Sequence, residues 1–309
     1  MPAGAQSAPA ASSGRSVDKR RILSSMQKTA LQNLSTEEIE RYKRHLVLKE
    51  IGGQGQRKLK AARVLVVGAG GLGSPILMYL AAAGVGTIGI VDDDRVSLDN
   101  LQRQIAHDTD SVEEAKVASA ARTLKRINPN VSVEAIDARL DAGNALDLIA
   151  RYDIVADGSD NAQTRYLVSD ACYFAERPLV FGAVGPFDGY VSTFKPYESN
   201  ADGAPYPTYR CLFPEPPPAG AVPNCAETGV LGSVVGVIGT LQATEILKEI
   251  VGMGTGLAGR LVIYDALQCR FDTLNVAWDS DNPLTGRNPT IKDLSIHARK
   301  SGSGAACAA

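Results

Sequence analysis

A glycine-rich turn between a short apolar segment and an amphipathic one limits the fold of this chain more than any other feature. Residues 64–67 are apolar on both faces, as expected of a buried parallel strand. Gly68-Ala-Gly-Gly-Leu-Gly73 follows directly, and residues 72–83 form a predicted helix. Glycines allow a tight turn and a close approach of the backbone, and a helix N-terminus presents N–H groups to phosphate. The segment therefore predicts a nucleotide site in a Rossmann-like fold.

The chain then alternates between predicted strands and predicted helices. Further strands are predicted at residues 87–91, 132–136, 154–156 and 179–182. Helices are predicted between them at residues 113–127, 145–150 and 164–175. Short strands joined through helices are typical of an α/β fold with a doubly wound, mostly parallel sheet.

The C-terminal third has a different pattern. Residues 189–194 alternate as an antiparallel strand does, and the proline-rich residues 196–223 predict a loop. An apolar helix is predicted at residues 229–251, followed by strands at residues 260–266 and 271–277. We therefore expect an antiparallel C-terminal extension of the sheet.

Composition argues against several classes of protein. The net charge is −2 and the pI is about 6.0, whereas proteins that bind nucleic acid or anionic membranes usually carry a basic excess. No apolar run approaches the roughly 20 residues of a membrane span. Five cysteines, an odd number at irregular spacing, do not make a disulfide framework. We expect a cytoplasmic protein without nucleic-acid or membrane partners.

One domain is predicted between two disordered ends. Residues 1–33 begin with a stretch rich in Ala, Ser and Pro, and residues 297–309 end in small residues, so we expect both to be disordered. The domain then spans residues 34–296. Its first helix is predicted at residues 37–49, with a Ser-Thr pair before it as candidate N-caps and Gly52-Gly-Gln-Gly55 ending it.

A set of charged residues follows the glycine-rich turn along the chain. Asp92, at the end of the next strand, can accept hydrogen bonds from ribose hydroxyls. Arg103, Lys116 and Asp160 suit phosphoryl or nucleotidyl transfer, because the charge that builds on a departing pyrophosphate needs cations and Mg²⁺. Alone, each could be a solvated charge or, for Asp160, a helix cap. The glycines alone are typical of a nicotinamide or flavin oxidoreductase, which stays the alternative.

Five motifs occur in order along the chain. They are Arg41-Tyr-Lys-Arg44, Gly68-Ala-Gly-Gly-Leu-Gly73, Asp99-Asn-Leu-Gln-Arg-Gln104, Gly158-Ser-Asp-Asn161 and Pro223-Asn-Cys-Ala-Glu227. In this order and approximate spacing they resemble the motifs of the MoeB/ThiF/HesA family, the bacterial relatives of ubiquitin-activating enzymes. The resemblance covers most of the predicted domain and is far more specific than the glycine motif alone.

The resemblance implies roles for individual residues. The implied nucleotide-binding set is Gly68, Gly70, Gly71, Gly73, Asp92, Asp99, Asn100, Leu101, Gln102, Arg103, Lys116, Asp160 and Asn161. The implied catalytic set is Arg44, Arg103, Lys116, Asp160 and Cys225. Asp92 would bind the ribose of ATP, Asn100, Arg103 and Lys116 its phosphates, and Asp160 would bind Mg²⁺. Arg44 would reach the ATP of a neighbouring subunit, since these enzymes are usually homodimers.

The resemblance also implies a reaction and its partners. It predicts an ATP-dependent adenylyltransferase that acts on the C-terminal glycine carboxylate of a small ubiquitin-like sulfur carrier ending in Gly-Gly. The carrier would be of the molybdopterin-synthase or thiamine type, and adenylation would prepare it for thiocarboxylation. No rhodanese domain fits after the predicted domain, so we expect a separate sulfur donor. A non-catalytic subunit of a heterodimeric activating enzyme is a second alternative.

The cysteines depart from the family pattern at one site and match it at another. Many relatives bind zinc through two Cys-x-x-Cys pairs, but here Thr208-Tyr-Arg-Cys211 has one cysteine and Asn288-Pro-Thr-Ile-Lys-Asp293 has none. One thiolate cannot close a tetrahedral zinc site, so we predict no zinc. Cys225 corresponds to the family's candidate for a covalent link to the carrier. Cys172 and Cys269 are predicted in the core, and His107 is predicted to be structural rather than catalytic.

Overall fold

Eight strands form one sheet in the computed structural model of the protein, which describes residues 34–218 and 228–298. The strands are β1 (Arg63–Val67), β2 (Thr87–Asp92), β3 (Ser132–Asp137), β4 (Ile154–Asp157), β5 (Leu179–Val184), β6 (Asp188–Phe194), β7 (Arg260–Asp265) and β8 (Arg270–Asn275). Their order across the sheet is β3-β2-β1-β4-β5-β6-β7-β8. The first five are parallel and the last three antiparallel, so the predicted fold class is confirmed.

Nine α-helices connect and cover the strands within the described residues. They are α1 (Thr36–Arg41), α2 (Lys43–Leu46), α3 (Gly52–Ala61), α4 (Gly73–Ala83), α5 (Lys116–Ile127), α6 (Ala145–Ile149), α7 (Ala162–Phe174), α8 (Tyr209–Leu212) and α9 (Gly232–Val251). Short 3₁₀ helices cover Leu98–Asn100, Thr109–Ser111 and Leu294–His297. None of these helices combines the length and apolar character that crossing a membrane requires.

Apolar side chains of β1 point to both faces of the sheet. Val64 and Val66 belong to a cluster that includes α4 and α5, whereas Leu65 and Val67 belong to one that includes α6 and α7. All four side chains are almost completely buried. A strand covered on both sides is apolar at every position, which is why this run predicted a central parallel strand.

The sheet reverses its winding at β1, which pairs with β2 on one side and β4 on the other. The chain moves from β1 to β2 and β3, then returns to add β4 on the opposite edge of β1. Val67 aligns with Val91 of β2 and with Asp157 of β4, so the three strands end at the same level. Ligands of open α/β sheets bind at such a switch point.

The N-terminal helical region differs from its prediction in two ways. Ser35 does form a capping box with Glu38, but the predicted single helix is interrupted at Tyr42, whose hydroxyl accepts a buried hydrogen bond from Asn128. Gly52-Gly-Gln-Gly55 does not end a helix but begins α3. A Cβ on Gly55 would lie 3.1 Å from Val251 Cγ1, so glycine allows α3 to pack closely on α9.

The ordered chain also extends past residue 296, the predicted end of the domain. His297 lies in the last 3₁₀ helix, and its Nε2 lies 2.8 Å from Asp170 Oδ2. Arg210 makes a buried ion pair with the same carboxylate at 2.7 Å. These contacts attach the C-terminal segment to α7 and α8. The predicted N-terminal extension lies outside the described residues.

Candidate nucleotide-binding site

The glycine-rich turn after β1 has a backbone that other residues could not adopt without strain. Gly68 has φ +92°, in the left-handed region that favours glycine. A Cβ on Gly73 would lie 2.0 Å from the Gly68 carbonyl oxygen, and one on Gly71 would lie 2.7 Å from Val235 Cγ1. The Gly73 contact lies within the turn, whereas the Gly71 contact is with α9, which packs against the turn. The predicted need for glycine here is therefore explained by close contacts on two sides.

Asp92 holds the turn from the end of β2. Its Oδ2 accepts a hydrogen bond from the Ala69 amide at 2.7 Å, and its Oδ1 accepts one from the Asp94 amide at 2.8 Å. Burial raises the pKa of the Asp92 carboxyl, while the nearby Lys116 ammonium opposes that rise. Asp92 thus links the glycine-rich turn to the following loop, and it lines the cleft beside both.

The two predicted cations, Lys116 and Arg103, line the same cleft. Lys116 is the first residue of α5, and its Nζ lies 2.7 Å from Asp94 Oδ2. The Lys116 side chain is 7% exposed, whereas that of Asp94 is 66% exposed. Arg103 donates from Nη1 to the Asp99 carbonyl oxygen at 3.1 Å, and its Cγ lies close to Gly71. Both cations are held by weak or exposed partners, which an anionic ligand can replace.

The loop after β4 places the Asp160 carboxylate on the opposite wall of the cleft, and the buried Asp157 supports this loop. The fully buried Asp157 accepts two hydrogen bonds at Oδ1 from Ser159, at 2.9 Å from the amide and 2.6 Å from the hydroxyl. Burial raises the pKa of the Asp157 carboxyl, and the Arg165 charge opposes that rise. Asp160 follows, exposed on the cleft wall. Asn161 caps α7 by accepting from the Thr164 amide at 2.9 Å, so the cap is Asn161 and not Asp160.

Most of the predicted site residues line one cleft of about 440 Å³. Those that line it are Gly68, Gly70, Gly71, Asp92, Arg103, Lys116, Asp160 and Asn161. Gly73, Asp99, Asn100, Leu101 and Gln102 are not among its lining residues, although they flank the Gly71 and Arg103 positions. Arg44 lies on α2, exposed and away from this wall. Cys225 lies outside the described residues.

The cleft also contains residues that the sequence did not single out. Residues 138–140 extend it beyond the end of β3, and Asp94 and Arg165 are among its other charged lining residues. Arg165 donates from Nη2 to the Ser159 carbonyl oxygen at 3.2 Å, so it supports the loop that carries Asp160. Its position one helical turn after Asn161 was a usable signal, because residues four apart share a helix face.

The remaining cysteine predictions have mixed outcomes. Cys172 is buried in the core at 2% exposure, as predicted. Cys269 is exposed, with φ +52° in the turn between β7 and β8, so its prediction as a core residue was wrong. Cys211, which we expected to be a small apolar residue in the absence of zinc, has a polar contact: its Sγ accepts from Asn282 Nδ2 at 3.1 Å, and the same amide donates to Thr208 Oγ1 at 2.8 Å.

Known proteins resemble this chain in sequence and in fold. Residues 42–284 match the ThiF family. The chain is 49% identical over 258 residues to a sulfur carrier protein adenylyltransferase of Thermus thermophilus, covering 84% of this chain and 94% of that protein. It is 47% identical to a SAMP-activating enzyme E1 of Haloferax volcanii, covering 85% and 95%. Its fold resembles that of Escherichia coli MccB in a structure with ATP, with a TM-score of 0.68, 21% identity and coverage of 86% and 80%.

Proposed function

The chain belongs to the ThiF family, and from that premise we propose that it adenylates the C-terminal carboxylate of a small ubiquitin-like sulfur-carrier protein. One observation carries the proposal: Asp92, Arg103, Lys116 and Asp160 surround a single cleft at the switch point of the sheet. Hydride transfer has no use for such a set of charges. Transfer of a nucleotidyl group needs cations and a metal-binding carboxylate near the phosphates.

In the proposed complex, residues at the ends of different parallel strands bind different parts of ATP. The amides of the glycine-rich turn would face the phosphates, and Asp92 would hold the ribose. Lys116 and Arg103 would exchange Asp94 and the Asp99 carbonyl for phosphate oxygens. The base would lie beside residues 138–140, which line the cleft beyond β3.

Asp160 suits a magnesium ion better than a metal whose ligands must all come from the protein. Its carboxylate is exposed on the cleft wall, and in the described part of the chain it belongs to no cluster of three metal-ligating side chains. Mg²⁺ is usually held by one or two carboxylates together with substrate phosphates. We therefore assign the Mg²⁺ ligand to Asp160, with Asn161 alongside. The ion would add positive charge beside the polyphosphate.

The reaction needs no general base on the protein. A C-terminal carboxyl group has a pKa of about 3.5, so the carrier's terminal glycine is already ionised at neutral pH. Its oxygen attacks the α-phosphorus, the bond to the bridging oxygen breaks, and pyrophosphate leaves with the electron pair. The products are an acyl-adenylate and pyrophosphate. The enzyme contributes by aligning the carboxylate and by placing Lys116 and Arg103 where negative charge increases.

The remaining proposals concern the assembly around this reaction. The active protein would be a homodimer in which Arg44 of one subunit completes the site of the other. Sulfur would come from a separate donor after adenylation, with Cys225 as the residue that links carrier and enzyme. We propose ATP and Mg²⁺ as the required small molecules, no zinc, and a place in the cytoplasm.

Carrier-dependent exchange of pyrophosphate into ATP tests the proposed function. Arg103→Ala and Asp160→Ala should each lower the exchange rate about 100-fold or more, the scale for loss of one preorganised charged contact. Arg126→Ala, on the exposed side of α5, is the matched control and should leave the rate unchanged. Exchange at the parent rate in both cleft variants would show that the site is assigned wrongly.

A further inference from the structure

His107 lies buried between the two elements that form the phosphate side of the cleft. It is 8% exposed and follows the Asp99–Gln104 motif without lining the cleft itself. Its Nε2 lies 2.8 Å from the Ala69 carbonyl oxygen in the glycine-rich turn. Its Nδ1 lies 2.9 Å from Ser119 Oγ on α5, three residues after Lys116. One imidazole thus joins the turn to the helix that carries the proposed phosphate-binding lysine.

The two partners determine where the imidazole proton sits. A carbonyl oxygen only accepts hydrogen bonds, so Nε2 must carry the hydrogen that Ala69 receives. In the neutral ring Nδ1 is then an acceptor, and the Ser119 hydroxyl donates to it. Burial lowers the pKa of His107 and the Lys116 charge adds to this effect, which outweighs the opposing bond to Ala69 and the charges of Asp92 and Asp108. The ring is therefore neutral at neutral pH, the Ala69 carbonyl selects the tautomer with hydrogen on Nε2, and Ser119 donates to Nδ1 and holds the ring in place.

Hydrogen bonds therefore hold both the N–H and the carbonyl group of Ala69. Its amide donates to Asp92 Oδ2 at 2.7 Å, and its carbonyl oxygen accepts from His107 at 2.8 Å. In a trans peptide, the carbonyl group and the following N–H point in opposite directions. The bond to His107 therefore turns the Gly70 N–H away from the imidazole. Gly70 itself lines the cleft.

We propose that His107 is a positioning residue that orients the Ala69–Gly70 peptide so that the Gly70 N–H faces the phosphates of the nucleotide. This inference rests on the proposed ATP site but not on the identity of the carrier. Without the imidazole, the buried Ala69 carbonyl oxygen loses its donor, and a peptide with flanking glycine can rotate to present its carbonyl to the phosphates instead. An oxygen there would repel the phosphates that an amide attracts.

Three variants separate this role from general support of the fold. His107→Asn places its amide near the Nδ1 position and loses the bond to Ala69, whereas the amide of His107→Gln reaches the Nε2 position and keeps it. Thr123→Val is the matched control, because Thr123 Oγ1 donates to the Ala106 carbonyl oxygen at 2.7 Å and joins the same helix to the same segment without touching the turn. Binding of ATP with Mg²⁺, and of adenosine, is measured by calorimetry without any carrier.

His107→Asn should weaken ATP binding about tenfold, the scale of one buried hydrogen bond, and leave adenosine binding unchanged. His107→Gln should recover most of the ATP affinity, and Thr123→Val should match the parent. If His107→Asn does not fold, Ser119→Ala removes the donor that holds the ring against the turn and should weaken ATP binding, by less than loss of the imidazole, but not adenosine binding. Equal losses for ATP and adenosine, parent-like ATP binding in His107→Asn, or an equal loss in Thr123→Val would each overturn the proposal. A parent protein that binds ATP but exchanges with no carrier would overturn the carrier assignment alone.

Discussion

Replacing Asp94 by asparagine tests whether Lys116 exchanges its ion pair with Asp94 for a contact with the triphosphate of ATP. The Lys116–Asp94 ion pair is 2.7 Å long, but the Asp94 side chain is 66% exposed to solvent. Ion pairs with solvent access contribute only about 0.2–1 kcal/mol. Because about 1.4 kcal/mol corresponds to a tenfold change in an equilibrium constant, the pair alters an affinity by about fivefold at most. A phosphate group with two negative charges can therefore displace Asp94 readily.

Asp94→Asn should thus leave ATP binding unchanged or tighten it by up to about fivefold, since the free protein loses a competing anion. Lys116→Met has the opposite effect, because it removes a cation that no other described residue supplies at the start of α5. We expect it to lower carrier-dependent pyrophosphate exchange about 100-fold or more. The free energy of unfolding of Asp94→Asn should fall by no more than about 1 kcal/mol.

The assay combines ATP binding by calorimetry with the rate of pyrophosphate exchange. The parent, Asp94→Asn, Lys116→Met and the double variant are compared, and urea unfolding of each checks that the fold is retained. The double variant should behave like Lys116→Met. If Asp94→Asn loses as much exchange as Lys116→Met, Asp94 is itself part of the working site, and the assignment of Lys116 to phosphate is refuted.

Three further predictions concern metal, subunits and thiols. Metal analysis should find far less than one zinc per chain, and stoichiometric zinc whose chelation unfolds the protein would contradict this. Arg44→Ala and Asp160→Ala homodimers should both be nearly inactive, while mixed dimers should regain about half the parent activity because one of two shared sites is intact; no recovery after confirmed subunit exchange would place Arg44 outside its partner's site. Cys225→Ala should keep exchange within a few-fold of the parent but abolish a thiol-sensitive carrier conjugate, which Cys269→Ala should retain. A conjugate that survives in Cys225→Ala would mean that another cysteine forms it.

The parts of the fold that repeat a regular pattern could be predicted from the sequence. The apolar run at residues 64–67 predicted a central strand because both of its faces are covered. The glycine-rich turn predicted the position of the cleft, since the ends of β1, β2 and β4 align there. Charged residues far apart in sequence, such as Asp92 and Asp160, could be grouped because each follows a strand of the same parallel sheet.

The sequence failed where a contact between distant segments determines the local structure. Gly52-Gly-Gln-Gly55 begins α3 instead of ending a helix, and Gly55 lies where α3 packs closely on α9. Cys269 lies between Gln268 and Arg270, in the gap between two predicted strands, and its prediction as a core residue overlooked the exposed turn that this gap indicates. His107 was predicted to be structural, but its partners in the glycine-rich turn and α5 could not be predicted, because neither is adjacent to it in the chain. Asp94 was overlooked because its role depends on Lys116, which lies 22 residues later.

The mass of the carrier protein after incubation with enzyme, ATP and Mg²⁺ tests the central claim most directly. We predict that a sulfur carrier ending in Gly-Gly gains the mass of one AMP, and that release of pyrophosphate accompanies the gain. The same carrier without its terminal Gly-Gly should gain nothing, and the intact carrier should gain AMP about 100-fold more slowly with the Asp160→Ala enzyme. If no carrier gains AMP while the parent enzyme binds ATP, or if the truncated carrier gains AMP equally, this protein does not adenylate a carrier's C-terminal carboxylate.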